Sequence, residues 1–262
     1  MKLFVEGVGL CGPGLTDWVH GAPILAGGEV YHPAPVTLAP LGLLPPAERR
    51  RMTETVKLAL AVGNEAVVRS GRQTEELPSV FTSSGSDAAT ITAILEILAS
   101  EQREVSPTRF HNSVHNAPSG YWSIATRSHE SSTSLCAHDF SFAAGLLEAA
   151  TLATSVARPV LLVAYDVPYP AVLHDVRPIR SIFGTALMLS PARGGRSLAA
   201  LTLSINREAA ETPMPDAALE VLRIGNPAAR ALPVLAALAD RTPRRVTLAL
   251  MAGNRLTLDV AP

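Results

Sequence analysis

The sequence predicts an α/β layered fold, because short apolar strands and amphipathic helices alternate along most of its length. The run PVLLVAYD at 159–166 is apolar up to its last residue, which is typical of a strand buried on both faces of a parallel sheet. Hydrophobic residues make up 47% of the 262 residues and charged residues only 17%, which excludes a disordered chain or an acidic scaffold. A chain of this length is compatible with one large domain or with two halves that share a core.

The first half of the chain alternates strand and helix. Glycine and proline mark most boundaries, and either Ser86 or Asp87 is placed to cap a helix. In order, we expect a strand at 2–10, a loop at 20–46, a helix at 47–70 that Gly71 ends, a strand at 79–84, a helix at 88–99, an irregular segment at 105–116, a helix at 119–127, a strand at 131–137, a helix at 140–154 and a strand at 159–166.

The second half is shorter and begins after a Gly-rich segment, PARGGRS at 191–197, which is the nearest feature to a domain boundary. We therefore divide the chain into residues 1–190 and residues 191–262, and we expect both parts to pack on the same core. The remaining predicted elements are strands at 184–190 and 198–205, helices at 216–222 and 227–240, and a hairpin over 245–260 that turns at Gly253 and Asn254.

Charge and cysteine content exclude several classes of protein. Lys and Arg number 22 against 23 Asp and Glu, so a net charge of −1 gives no electrostatic basis for binding nucleic acid or an anionic membrane. Two cysteines, Cys11 and Cys136, are too few for a disulfide framework, and we expect a reduced, cytoplasmic setting. Charged residues interrupt the most apolar stretch, 141–167, so we expect no membrane span.

Several segments, taken in order, carry a resemblance to a known family. They are VEGVGLCGPG at 5–14, SVFTSSGS at 79–86, VSPTRFHNSVHNAPSGYWSIA at 105–125, SSTSLCAHDFSFAAGLLEAA at 131–150, and the strands PVLLVAYD and GTALMLSP. Over residues 1–190 this order resembles the β-ketoacyl synthases of the thiolase-like fold. The part FHNSVHNAPSGYWSIA is similar to the short chain-length factors of aryl polyene systems. The resemblance implies a complete first half, whose sheet holds one antiparallel strand, and a truncated second half.

The departures from the family bear on catalysis. The synthase nucleophile is a Cys at the start of a buried helix, and the resemblance places Asp139 there, with Cys136 three residues earlier and His138 beside it. A carboxylate cannot carry an acyl thioester as a thiolate does, but it can cap the helix, and we expect Asp139 to do so. The family's second half supplies two catalytic histidines, yet no histidine follows His174. The resemblance therefore implies a non-catalytic subunit, and it implies no metal or other cofactor.

The same resemblance implies partners. The chain would form a heterodimer with a catalytic β-ketoacyl synthase subunit in a type II fatty-acid or polyketide (polyene) pathway, would meet an acyl carrier protein transiently, and would close the acyl tunnel. Because an exposed apolar edge strand would aggregate, we expect the strand at 131–137 to pair antiparallel with the same strand of its partner. The residues expected at the tunnel or interface are Phe140, Phe142, Ala143, Tyr121, Trp122, Ser134 and Leu135.

Two other functions stay open at this point. One is an active acyltransferase or thioesterase that uses Cys136, His138 or Asp139, since residues two apart in a strand point to the same face. The other is a homodimeric scaffold that binds acyl chains. The basic run at 49–51 either docks an acidic carrier protein or is a solvated start of a helix.

Overall fold

The computed structural model describes residues 1–38, 42–85, 87–101, 103–207 and 209–262. Within these ranges the strands are β1 (Lys2–Cys11), β2 (Ser79–Thr82), β3 (Ser132–Leu135), β4 (Val160–Asp166), β5 (Phe183–Ser190), β6 (Ala199–Asn206), β7 (Arg244–Ala249) and β8 (Arg255–Ala261). The helices are α1 (Trp18–Leu25), α2 (Pro46–Arg49), α3 (Glu54–Ser70), α4 (Ala88–Ala99), α5 (Pro107–Asn112), α6 (Ala117–Thr126), α7 (Ser141–Val156), α8 (Ala217–Gly225) and α9 (Leu232–Asp240).

The strands form one sheet in the order β3-β2-β4-β5-β1-β6-β8-β7. Strands β3, β2 and β4 pair in parallel, and β5 runs antiparallel to both β4 and β1. The sheet of the first half therefore has β5 as its one reversed strand, which confirms the predicted thiolase-like arrangement. Strands β6, β8 and β7 continue the same sheet with antiparallel pairs, so residues 191–262 extend the sheet of residues 1–190.

Helices cover both faces of the sheet. Because successive side chains of a strand point to opposite faces, Leu162 of β4 packs in one core with α7 and α9, while Val163 packs in a second core with α3 and α6. Strand β4 is buried along its whole length, as the sequence predicts. The result is a three-layer α/β/α arrangement in which β3 forms one edge of the sheet, with no strand on its outer side among the described residues.

Glycines in β1 allow α3 to approach the sheet closely. A Cβ atom at Gly9 would overlap the carbonyl group of Val62, and one at Gly7 would overlap the carbonyl oxygen of Ala66. These two glycines therefore have a packing role, since no side chain fits between β1 and α3.

Three predicted segments differ from the structure, two of them because a side chain caps a helix start. The loop expected at 20–46 is wrong at its start, where Asp17 accepts a hydrogen bond from the backbone N–H of His20 at 2.9 Å and begins α1. The single helix expected at 47–70 is divided into α2 and α3, because Thr53 caps a new start at Glu54. The irregular segment expected at 105–116 contains α5.

Other boundaries follow the sequence. Gly71 ends α3 with a left-handed φ of 63°, and Asp87 caps α4 by accepting from the N–H of Thr90 at 2.8 Å. The alternative cap, Ser86, lies outside the described residues. Strands β7 and β8 form the expected hairpin. In the described part of the chain, no helix combines the length and apolar character needed to cross a bilayer.

Candidate functional site

Polar side chains gather where β3, β2 and β4 end. Since these three strands are parallel, their carboxyl ends meet at one edge of the sheet. Cys136 follows β3, Ser83 and Ser84 follow β2, and Asp166 ends β4. The first turn of α7 comes to the same place, with Asp139 just before it. This edge is the candidate functional site.

The expectation that Asp139 caps α7 is wrong. A 3₁₀ turn over His138–Phe140 precedes α7, and no side chain of the preceding residue caps the helix. Ser141, the first residue of α7, ties down the preceding turn: its Oγ accepts from the N–H of Ala137 at 3.0 Å and donates to the carbonyl oxygen of His138 at 2.7 Å. His138 enters the 3₁₀ turn with a left-handed φ of 53°.

Asp139 is instead held by an arginine from the loop between β4 and β5. The Nη1 of Arg177 donates to Oδ1 of Asp139 at 2.7 Å. The Arg177 side chain is only 15% exposed, whereas that of Asp139 is 40% exposed. The ring of His138 lies on the solvent side, with its Nδ1 3.6 Å from Oδ2 of Asp139. The Asp139–Arg177 ion pair therefore lies at the boundary of the site, with the aspartate toward the solvent and the arginine toward the interior.

Asp166 is the buried acid of the site, with 1% of its surface exposed. Its Oδ1 accepts three hydrogen bonds, from Ser83 Oγ at 3.1 Å, from the Ser84 N–H at 2.9 Å and from Ser84 Oγ at 2.7 Å. Burial raises the pKa of Asp166 to about 6, although these hydrogen bonds and the nearby Arg177 favour the charged form. Asp166 therefore changes its charge near physiological pH.

Two further residues complete this interior cluster. The hydroxyl of Tyr169 lies where a Cβ atom at position 85 would be, so a larger residue at Gly85 would require the Tyr169 side chain to shift. Asn226, from the second half, donates through Nδ2 to the carbonyl oxygens of Asp166 at 3.3 Å and Ser181 at 2.8 Å. Sequence reasoning missed Asp166, Arg177 and Asn226, because nothing in their local sequence indicates that the fold brings them together.

The structure does not arrange Cys136 and His138 as a nucleophile and base. Strand β3 ends at Leu135, so the strand spacing that would place both side chains on one face is absent. The thiol of Cys136 donates to the carbonyl oxygen of Ser84 at 3.0 Å, and the His138 side chain is 67% exposed. Within the described ranges, no hydrogen bond joins Cys136 to His138.

The predicted tunnel residues fall into separate environments. Phe140 and Ala143 line a cavity of about 100 Å³ beside Asp139. Phe142 is completely buried in the core under α7. Tyr121 and Trp122 are buried on the opposite face of the sheet, in the core with α3. Phe142 and the pair Tyr121 and Trp122 therefore lie in two different cores, on opposite faces of the sheet.

The two predicted interface residues lie on the outermost strand. Ser134 and Leu135 belong to β3 and are half-buried, and the Ser134 hydroxyl is 3.1 Å from that of Ser119 on α6. Among the described residues, no group of three His, Cys, Asp or Glu side chains could hold a metal ion.

Comparison with known proteins gives one family. The model of the β-ketoacyl synthase N-terminal domain matches residues 27–244. No curated protein matches the sequence.

Solved structures similar to this chain include complexes and a single synthase. One is the complex of the ketosynthase ApeO with its chain length factor ApeC from Xenorhabdus doucetiae. A chain of this complex is 22% identical to the present chain, with a TM-score of 0.75 and 99% of each chain covered. AntDE:AntF, a type II PKS acyl-carrier protein in complex with its ketosynthase bound to the hexaketide, gives 12% identity and a TM-score of 0.75, again over 99% of each chain. A β-ketoacyl synthase from Burkholderia phymatum STM815 is 14% identical with a TM-score of 0.61, over 92% of this chain and 71% of that one. At these identities the likeness shows the fold alone.

Proposed function

The chain belongs to the family of β-ketoacyl synthase N-terminal domains, and on that basis we propose that it is a non-catalytic, chain-length-factor-like partner of a β-ketoacyl synthase. The observation that carries the proposal is the ion pair between Asp139 and Arg177 at the position that the family resemblance assigns to the nucleophile. A carboxylate held by a guanidinium offers no thiolate for acyl transfer. Cys136, three residues earlier, donates its thiol hydrogen to a backbone carbonyl instead of to a base.

The lengths of the similar chains support the same function. A chain from the ApeO–ApeC complex and one from AntDE:AntF match this protein end to end, with 99% of each chain covered. The single β-ketoacyl synthase is matched over only 71% of its own length. The chain thus has the size of a subunit found in such complexes and is shorter than that synthase.

Exposed apolar side chains support a protein partner beside β3. The segment between β2 and β3, residues 87–131, exposes large hydrophobic side chains that a partner would cover. Those that are at least 40% exposed are Ile91, Leu95, Leu98, Phe110, Val114 and Ile124. On α4, the first three recur at helical spacing, so they form one stripe along the helix.

Strand β3 itself has free hydrogen-bonding groups for a partner. The N–H of Ser79 donates to Ser131 and that of Ser83 to Leu135, so the odd-numbered residues of this segment bond to β2. The backbone groups of Ser132 and Ser134 therefore face away from the sheet. We expect them to pair antiparallel with the same strand of the synthase and to bury more than about 1,000 Å² in total.

In the proposed complex the synthase performs the decarboxylative condensation with its own Cys and histidines. This chain completes the heterodimer and limits the length of the acyl chain, which an acyl carrier protein delivers in a type II, polyene-forming pathway. Co-expression with a full-length synthase tests the proposal. We expect a complex of one copy of each chain, and no condensation or malonyl decarboxylation by this chain alone.

Two outcomes would contradict the proposal. A stable homodimer that excludes every synthase tested would favour an acyl-binding scaffold. Labelling of Cys136 by a thiol-directed acyl probe, together with turnover by the isolated chain that Cys136→Ala abolishes, would favour an acyltransferase or thioesterase.

A further inference from the structure

A second cavity, of about 220 Å³, lies at the opposite end of the sheet from the candidate functional site. Its walls come from Glu6 in β1, from residues 70–72 at the end of α3, and from residues 194–196 in the loop that follows β5. Because β5 runs antiparallel to β4, the loop after β5 and the carboxyl end of β4 lie at opposite ends of the sheet. The cavity is therefore separate from the cluster around Asp166.

One of its two arginines is fully paired with a buried acid. Arg72 donates through Nε and Nη2 to the two carboxylate oxygens of Glu6, each at 2.8 Å. The Glu6 side chain is only 2% exposed, whereas that of Arg72 is 40% exposed. Two parallel hydrogen bonds of this kind form a complete arginine–carboxylate pair. Glu6 therefore neutralises Arg72 and has no oxygen left for a second cation.

The other arginine, Arg196, has no acidic partner. Its Nη1 donates to the carbonyl oxygen of Ser70 at 2.8 Å and lies where a Cβ atom at Gly71 would be. Both Ser70 and Gly71 line the cavity, so these contacts place the guanidinium group of Arg196 at its wall. Among the described residues Arg196 forms no ion pair. Two guanidinium groups and one carboxylate thus give the cavity a net charge of +1.

Free donors and open walls make this charge accessible to an anion. A guanidinium group has five N–H donors, and the hydrogen bonds above use two from Arg72 and one from Arg196. Gly194 and Gly195 line the cavity without side chains, and a Cβ atom at Gly194 would lie only 3.1 Å from Oε1 of Glu6. At about 30 Å³ for each water-sized group, the volume takes about seven such groups, which is enough for a phosphate and its waters.

We propose that this cavity binds a phosphate group between Arg72 and Arg196. A phosphate has oxygen atoms for both guanidinium groups and carries about −1.5 to −2 charge near neutral pH, whereas a carboxylate has one charge and suits a single arginine. The ligand is inorganic phosphate or a phosphate monoester, and it would tie the loop after β5 to the end of α3. The site goes beyond the proposed function, because it involves neither β3 nor Asp139.

Anion titrations of the isolated full-length chain test the site. NMR follows the amide signals of Gly194 and Gly195 at constant ionic strength while inorganic phosphate, glycerol 3-phosphate or acetate is added. We expect a dissociation constant of about 1 mM for phosphate and binding of acetate at least tenfold weaker, as charge-assisted hydrogen bonds at a solvated site predict. Tighter binding of glycerol 3-phosphate than of inorganic phosphate would identify a monoester as the ligand, and weaker binding would identify free phosphate.

Position 195 allows the cavity to be blocked without removing an arginine. A Cβ atom there meets nothing within 4 Å, and the backbone of Gly195 is outside the left-handed region. Gly195→Ala should therefore bind phosphate as wild type does. Gly195→Asp adds a carboxylate that competes for the arginines and should weaken binding at least tenfold.

Arg196→Gln removes the unpaired charge and should also weaken phosphate binding at least tenfold. Arg158→Gln is the matched control, because it removes an exposed arginine that is paired with Glu130, and it should leave the dissociation constant unchanged. The absence of saturable phosphate binding by wild type, or equal binding of acetate, would overturn the proposal. Binding that persists in both Gly195→Asp and Arg196→Gln would also overturn it, since the phosphate would then be an adventitious ion only. No synthase is present in these experiments, so the proposed function is tested separately.

Discussion

Substitutions of Asp139 distinguish its ion pair with Arg177 from a role in catalysis or in capping α7. The Asp139 carboxylate is 2.7 Å from Nη1 of Arg177, and the arginine is 85% buried while the aspartate is more open. Asp139→Ala removes the acceptor and leaves a largely buried guanidinium without its partner. A hydrogen bond to a charged group is worth about 1.5–3 kcal/mol, and solvent near Asp139 reduces this, so we expect a loss of about 2 kcal/mol in the free energy of unfolding.

Asp139→Asn keeps Oδ1 as an acceptor but removes the charge. We expect about half the loss, about 1 kcal/mol, because a neutral hydrogen bond contributes less than a charged one. For a chain of this size 1 kcal/mol corresponds to about 2–4 °C, so thermal unfolding should show midpoints lower by about 4–8 °C for Ala and 2–4 °C for Asn. Glu130→Gln, in the exposed pair with Arg158, is the matched control and should leave the midpoint unchanged.

We expect the thermal midpoint to decrease in the order wild type, Asp139→Asn, Asp139→Ala. If Asp139→Asn were silent and Asp139→Ala were not, the carboxylate would be acting as a neutral acceptor such as a helix cap, and the ion-pair reasoning would be refuted. Neither variant should alter chain elongation by the assembled complex beyond its effect on stability. Condensation by the isolated wild-type protein that Asp139→Asn abolishes would refute the non-catalytic function.

Further predictions concern pH, chain length and assembly. The folded pKa of Asp166, about 6, lies above its ordinary value of 3.8, so its stabilising contribution is present below about pH 4 and is lost as pH rises through 6. We therefore expect the free energy of unfolding of wild type, relative to that of Asp166→Asn, to rise by up to about 3 kcal/mol from pH 7 to pH 4, as measured by denaturant titration. A difference between the two proteins that does not change with pH would contradict this. Phe142→Ala should lengthen the products of the complex and Ala143→Phe should shorten them, as measured by mass spectrometry. Phe142→Ala should also lower the free energy of unfolding by about 3–5 kcal/mol. Unchanged products from an intact complex would show that neither residue lines the tunnel. Ser134→Pro, which removes an outward N–H of β3, should weaken the heterodimer at least tenfold in sedimentation experiments without unfolding the chain; unaltered assembly would place the interface elsewhere.

Much of the fold could be predicted from the sequence, because its signals are local. The apolar run of β4, the stop at Gly71 and the cap at Asp87 each act through the backbone conformation or burial of a few adjacent residues, and all three are found in the structure. The family resemblance also indicated that the sheet holds one antiparallel strand and that β3 lies at an edge; that the reversed strand is β5 is seen in the structure. Helix α1 was not predicted, because the Gly- and Pro-rich composition around it indicated a loop, whereas the cap at Asp17 begins a helix there.

The site depended on contacts between distant parts of the chain. Arg177 lies 38 residues from Asp139, and Asn226 lies 60 residues from Asp166, so no local pattern could reveal either contact. The sequence identified Asp139 as the unusual residue, but the 3₁₀ turn before α7 decided that its carboxylate meets an arginine and does not cap the helix. Likewise, the aromatic residues could be named from the sequence, but only the sheet between them decided that Phe142 and Trp122 lie in different cores, because side chains on opposite faces of a sheet cannot meet.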